Sequence, residues 1–177
     1  MNFKIVLVSG VIALASAGCM TPMASAPPAL TVVSTAEFVP MATSSNLFEI
    51  ESSRLALRRA RSPEIRRFAQ QMIRDHNRAT RRMMAVARRA GLPLPRPTLT
   101  ARHQQMLASL TAAPSFDAAY VDAQLMAHQE SVGLFSAYSR TGDNAPLVEF
   151  ARATLPVLEM HLNEVQALSG VSVARAM

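Results

Sequence analysis

The sequence has no tryptophan and few other aromatic residues, with two tyrosines and seven phenylalanines among 177 residues. Half of the residues are nevertheless apolar, and alanine, leucine and methionine supply most of them, which favours helices over a β-sandwich. No segment alternates apolar and polar residues with the period of two that marks a strand. A chain of this length holds one domain with a substantial core but not two. The sequence therefore predicts a single all-α domain.

Enzyme motifs are also lacking. The sequence contains no glycine-rich phosphate loop, no Gly-x-Ser-x-Gly and no His-Glu-x-x-His. The single cysteine is expected to be acylated, which removes it as a nucleophile. We therefore predict no enzymatic activity, and the only chemistry compatible with the sequence is metal redox chemistry in the core.

The N-terminus has the features of a signal peptide. Lys4 supplies a positive charge, residues 5–15 form an apolar run, and small residues follow. This run is about half of the ~20 residues that a bilayer crossing requires, so it does not predict a membrane span. The segment Leu14-Ala-Ser-Ala-Gly-Cys19 is similar to the bacterial lipobox, in which the cysteine thiol takes a diacylglycerol. We predict a signal peptide over residues 1–18 and a lipid on Cys19.

A second processing route stays open, because Ser16 replaces the aliphatic residue usual in a lipobox. The small residues at 15–17 and 24–26 would also serve ordinary signal peptidase and give a soluble periplasmic or secreted protein. A lone thiol in an oxidising compartment favours the lipoprotein. Since Met20 is not the aspartate that favours the inner membrane, we expect an outer-membrane lipoprotein that faces the periplasm.

Charge is divided unevenly along the chain. Fourteen of the 17 arginines lie between Arg54 and Arg102, where only Glu64 and Asp75 oppose them. From His103 onward three arginines face seven acidic residues. One interpretation is that the basic helices face the acidic ones within the bundle. The other is that the Arg54–Arg102 region binds anionic lipid or lipopolysaccharide. We do not expect nucleic acid as a partner, since no aromatic residues interleave the arginines.

Four long amphipathic helices predict an antiparallel bundle, with one short extra helix. We expect residues 19–43, rich in Ala, Pro, Ser and Thr, to be a lipidated, flexible tether, residues 44–170 to form the bundle, and residues 171–177 to be a tail. The first helix is predicted from about Ser45. The second has a clear start at Ser62-Pro63 and a clear stop at Gly91. The others are predicted near residues 98–110, 115–141 and 145–168.

The apolar stripe of each long helix, drawn at 100° per residue, contains a residue of a metal-ligand type. These residues are Glu51, His76, Glu130 and His161, whereas Glu49 is predicted to point away from the core. His128 flanks Glu130 on a second apolar face. Buried ionisable groups need a partner or a metal, and inward carboxylates and imidazoles are how bundle metal sites are built.

Four stretches, in order along the four long helices, carry a resemblance to a known family. They are Leu47-Phe-Glu-Ile-Glu-Ser-Ser-Arg-Leu-Ala56, Phe68-Ala-Gln-Gln-Met-Ile-Arg-Asp-His76, Phe116-Asp-Ala-Ala-Tyr-Val-Asp-Ala-Gln-Leu-Met-Ala-His128 and Leu155-Pro-Val-Leu-Glu-Met-His161. In these stretches, which cover about residues 44–168, the chain resembles a family of ferritin-like bacterial envelope proteins, domain of unknown function 4142, often labelled outer membrane proteins. The resemblance implies the fold and an envelope location, and it gives no expectation about biochemical activity.

Two interpretations of the inward residues remain. Ferritin di-iron sites use Glu-x-x-His pairs, and none occurs here, so a di-iron centre is not expected. A single zinc, copper or iron ion held by His76, His161, Glu51, Glu130 and His128 is one interpretation, and gives the protein a role in metal binding or sequestration. A closed polar network that holds the helices in register is the other. It leaves an envelope lipoprotein with a binding or structural role.

Overall fold

Five α-helices make up the part of the chain that the structure describes. It is a computed structural model, and it describes residues 32–94 and 96–176, with side chains described as far as Ser169. No strand occurs in these residues, so the predicted all-α fold is confirmed. The predicted signal peptide and Cys19 lie outside the described residues. The helices are α1 (Thr35–Arg59), α2 (Pro63–Arg89), α3 (Ala101–Ala112), α4 (Phe116–Thr141) and α5 (Ala145–Ala176).

The four long helices form a bundle, as predicted. Helix α1 packs on α2 and α4, and α5 packs on the same two helices from the opposite side of the bundle. Links of three residues join α1 to α2 and α4 to α5, so each of these pairs is antiparallel. The short helix α3 lies against α1 and α4. None of the described helices is long and apolar enough to cross a membrane.

Helix α1 begins ten residues earlier than predicted, so residues 35–43 are helical and do not belong to a tether. Ser34 and Glu37 form a capping box, in which each side chain accepts a hydrogen bond from the other residue's backbone N–H. The backbone N–H of Thr35 also donates to Asp143 in the α4–α5 link at 2.8 Å. Pro40, which favoured the tether interpretation, lies inside the helix at the cost of one backbone donor.

Helix α2 begins and ends where the sequence predicts. The Ser62 hydroxyl accepts from the backbone N–H groups of Glu64 and Ile65, with Pro63 at the first helical position. Gly91, with φ of 67°, follows the helix in the left-handed conformation that glycine adopts most readily. At the other end of the chain, α5 continues to Ala176, through most of the predicted tail.

The bundle core consists of two hydrophobic clusters with polar side chains between them. One cluster includes Phe68, Met72 and Tyr120, and the other includes Phe38, Met83 and Tyr138. Between them along α2 lies the buried His76. The same change from apolar to polar and back occurs at the middle of α4 and of α5. The polar layer between the clusters is where the ionisable side chains of the core meet.

Candidate metal centre

Three histidines from three helices meet in the polar layer. His76 is on α2, His128 on α4 and His161 on α5, and each is at most 2% exposed. One ring nitrogen from each lies within 4.8 Å of one from each of the others. The structure therefore brings together His76, His128 and His161, three of the five residues that the sequence analysis singled out.

The three imidazole rings form a nearly equilateral triangle. Their centroids are 5.7 Å apart for His76 and His128, 5.6 Å for His76 and His161, and 5.5 Å for His128 and His161. Rings bound to one ion through bonds of about 2.0 Å have their centroids about 3.2 Å from that ion, which places trigonal rings about 5.5 Å apart. The observed spacing of the ring centroids is compatible with three imidazoles around a single ion.

Each ring is oriented by a hydrogen bond at one nitrogen. His76 Nδ1 lies 2.8 Å from Asn46 Oδ1, and His128 Nδ1 lies 2.9 Å from the backbone carbonyl of Gln124. His161 Nε2 lies 3.2 Å from Asp75 Oδ2. Because all three partners are acceptors, the neutral rings carry their proton at these nitrogens, as metal-binding histidines do.

The second nitrogen of each ring has no such partner. Among the described residues, nothing hydrogen-bonds to Nε2 of His76, Nε2 of His128 or Nδ1 of His161, although all three atoms are buried. A buried polar atom without a partner costs free energy. A closed polar network would have satisfied these nitrogens, so the arrangement favours a bound ion over the network interpretation.

Burial keeps the three rings neutral. It lowers the pKa of His128 to about 4, and it lowers the pKa of His161, an effect that Asp75 opposes. The pKa of His76 falls well below the usual range through burial and through the nearness of the other two rings. Because a metal binds the unprotonated nitrogen, the lone pairs are available at neutral pH without the removal of a proton.

A buried carboxyl group adjoins this triangle. Glu49 on α1 is fully buried, and its Oε1 lies 3.6 Å from Nδ1 of His128. Burial raises its pKa to about 8. Neither oxygen has a hydrogen-bond partner among the described residues. Asp75 beside His161 brings a carboxylate to this layer, and Glu49 would add negative charge on losing its proton to a bound cation.

Two of the expected ligands do not face the core, which corrects the sequence analysis. The side chain of Glu51 is 38% exposed and pairs with Arg54 on the surface of α1. Glu130 is 41% exposed and pairs with Arg102 of α3. Glu49 and Glu51 are two residues apart and point in nearly opposite directions on a helix, so the true phase of α1 turns Glu49 inward and Glu51 outward.

The donor set indicates the class of metal. Three neutral nitrogens without a thiolate suit copper, zinc, iron or nickel, whereas magnesium and calcium prefer oxygen ligands. The fold and the site together define a four-helix-bundle protein with a buried three-histidine centre. Residues 19–168 match the family described as domain of unknown function DUF4142, so the chain belongs to that family.

Solved structures with the same fold include one protein in metal-bound forms. CopM in its Cu(II)-bound form superposes with a TM-score of 0.67 at 19% identity, covering 78% of this chain and 97% of that chain. CopM in an Ag-bound form gives 0.63 at 18% identity, with 77% and 95% covered. A DUF305 fragment from Deinococcus radiodurans gives 0.64 at 19% identity, with 75% and 93% covered. No curated protein matches the chain. At these identities the likeness establishes the fold.

Proposed function

We propose that this protein binds one transition-metal ion through His76, His128 and His161, and that copper is the ion it takes. The observation that carries the proposal is the set of three buried ring nitrogens that have no protein partner while the opposite nitrogen of each ring is held. A site whose rings are already held side by side, with ligand nitrogens within 4.8 Å of one another, needs only a small contraction when the ion arrives, which favours tight binding.

Copper is favoured for two reasons. Among divalent first-row ions, sites built from nitrogen ligands bind Cu(II) most tightly, and zinc less tightly. The solved structures of similar fold include one protein in Cu(I)-, Cu(II)- and Ag-bound forms, which supports a copper role for this bundle. The role is binding or sequestration, because the three histidines are buried and no substrate pocket lies beside them among the described cavities.

A competition titration of the purified full chain with copper and with zinc tests this proposal. We expect one ion per chain, with copper displacing zinc, and we expect His128→Gln to weaken copper binding about a thousandfold. His103 provides the matched control, since it is also a buried histidine but is hydrogen-bonded to Ser44 outside the triangle. His103→Gln should leave the affinity unchanged. Equal losses in both variants, or zinc displacing copper, would contradict the proposal.

We also propose that the metal-binding domain works in the cell envelope, carried there by the signal peptide and held by a lipid on Cys19. The lipobox-like segment and the single cysteine support this location. Mass spectrometry of the mature protein should find Cys19 at the N-terminus with a diacylglycerol. At high salt, which screens attraction between surface charges, Cys19→Ser should move the protein from the membrane fraction to the soluble one. A mature N-terminus at another residue would contradict the anchor.

A further inference from the structure

Helix α2 carries a row of arginines along its outer face that the metal site does not use. Successive residues of a helix advance by 100°, which places the six arginines between residues 74 and 89 within a sector of about 120°. The row is about 22 Å long. All six side chains are exposed, and they are Arg74, Arg78, Arg81, Arg82, Arg88 and Arg89. We call these six residues the α2 arginine row.

The row faces away from the bundle. The buried residues of α2, such as Met72, His76 and Met83, lie on the opposite side of the helix, where α2 packs on α1 and α5. Asp75 is next to Arg74 in sequence, but its Oδ2 is directed to His161 in the core. The row is therefore a positively charged face of α2, and no acidic residue of α2 lies between its members on that face.

The arginines of this row differ from many others in the protein. Within the described part of the chain, no hydrogen bond or ion pair engages any of the six side chains. Elsewhere Arg54, Arg67, Arg102 and Arg152 each pair with a glutamate. The expectation that the basic helices neutralise the acidic ones within the bundle is thus met by Arg102 and Glu130 on α3 and α4, and not by α2.

We propose that the α2 arginine row is a docking surface for a bilayer that contains anionic phospholipid. A single straight row of charges on a convex helix can contact the phosphate groups of a flat surface along its whole length. Arginine is well suited to this role because its planar guanidinium can donate two hydrogen bonds to a phosphate. Each arginine near an anionic bilayer adds to the attraction, so six in one row act together.

Nucleic acid fits the surface less well. The only phenylalanine of α2, Phe68, is buried, and no tyrosine or tryptophan lies on the helix, so no ring is available on which a base could stack. The outer face of a helix is also convex, a shape that does not enclose a strand. The phosphate chemistry is shared between the two partners, and the shape of the surface favours the bilayer.

The test is cosedimentation of the full chain carrying Cys19→Ser, so that no lipid anchor contributes, with a chelator present, on vesicles of phosphatidylglycerol mixed with phosphatidylcholine and on vesicles of phosphatidylcholine alone. We expect binding to the anionic vesicles that falls steeply as salt is added. The triple variant Arg78→Gln, Arg81→Gln and Arg82→Gln should reduce the partition coefficient about a hundredfold, since each arginine contributes about fivefold. The chelator makes this result independent of the metal proposal.

A second triple variant serves as the matched control. It carries Arg54→Gln, Arg140→Gln and Arg152→Gln, which remove the same charge from exposed positions outside the row. This variant should bind the anionic vesicles within about threefold of the chain that keeps these arginines. Equal effects of the two triple variants, binding that ignores salt, or stronger binding to duplex DNA or lipopolysaccharide than to the anionic vesicles would each overturn the assignment.

Discussion

The polar layer and the two hydrophobic clusters of this bundle are built from the same helices, but they differ in whether their buried polar atoms have partners. In the clusters each buried side chain is apolar or has its polar atom paired, as when Tyr120 shares a hydrogen bond with Ser53 at 2.8 Å. In the layer, buried nitrogens of three histidines and both oxygens of Glu49 are left without a partner. The clusters stabilise the fold. The polar atoms of the layer that have no protein partner lower its stability and leave these atoms able to bind an ion.

The largest effect is expected on copper affinity, when one imidazole ring is removed from the polar layer. His76→Ala removes one of the three ligands and should weaken copper binding by at least about a thousandfold, or about 4 kcal/mol. The metal-free domain should stay folded, because the clusters on either side are intact. A copper titration and a thermal melt of the metal-free protein measure the two quantities. If metal-free His76→Ala did not fold, yet bound copper tightly once refolded, His76 would stabilise the fold and would not be a ligand.

A substitution in one of the hydrophobic clusters should lower the stability of the fold and leave copper affinity unchanged. Phe38 is fully buried, stacks on Tyr138 with ring centroids 3.9 Å apart, and meets Phe135 edge-on at 5.1 Å. Phe38→Ala should cost about 3–5 kcal/mol of unfolding free energy, measured by denaturant titration, and leave copper affinity unchanged. An effect below 1 kcal/mol would mean that the first turns of α1 are not part of the core.

Glu49 provides a prediction that depends on pH. The folded protein raises the pKa of this carboxyl from 4.5 to about 8, so the folded state binds its proton more tightly than the unfolded state. The contribution of Glu49 to the stability of the metal-free protein should therefore fall as pH rises from 4.5 to 8, while the three buried histidines, whose pKa values are lowered, act in the opposite direction in the wild type and in Glu49→Gln alike. Glu49→Gln lacks this loss, and its advantage should grow from near zero at pH 4.5 to about 3 kcal/mol at pH 7. Denaturant titrations across this range measure the difference, and parallel curves for the two proteins would refute it.

The smallest effect is expected for a residue that orients a ligand without binding the ion. Asp75→Asn keeps a hydrogen-bond acceptor beside His161 but removes the negative charge. Copper affinity should fall about 10–100-fold, as is typical when the outer partner of a metal-binding histidine is changed. Asn77, two residues along α2 and bonded to the backbone of Ile73, offers a control position. If Asp75→Asn matched His76→Ala in effect, Asp75 would itself be a ligand.

The sequence predicted the bundle and the histidines well, because their signals are strong and local. His76 and His161 lie in regular apolar stripes, and the Ser62-Pro63 start and the Gly91 stop are unambiguous. The start of α1 was missed because its composition resembles a linker. The capping-box pair of Ser34 and Glu37, three residues apart, is the signal that would have revealed it.

The phase of α1 was predicted wrongly for a physical reason. Its buried face is made largely of small polar residues, while Leu47, Leu55 and Leu57 are only partly buried. A stripe drawn through the leucines therefore turns Glu51 inward in place of Glu49. Small residues that recur with the helical period mark the side where α1 packs closely, and they are Ala42, Ser45, Ser52 and Ala56, with Glu49 one turn after Ser45.

A smaller error of the same kind occurred on α4. The predicted seam ran through Glu130, whereas the buried face passes through Gln124, His128 and Ser131. The structure places His128, expected on a flanking face, at the centre of the layer. Polar residues facing inward weaken the apolar pattern at the place where the site is built, so helical phase is hardest to read there.

X-ray absorption spectroscopy of the copper-loaded full chain tests the central claim most directly, because it reports the ligands themselves. We expect three nitrogen ligands at about 2.0 Å from the copper ion, with the outer-shell scattering of imidazole, and no sulfur at about 2.3 Å from it. A spectrum dominated by sulfur or by carboxylate oxygen, or one with fewer than three imidazoles, would show that the three histidines are not the site.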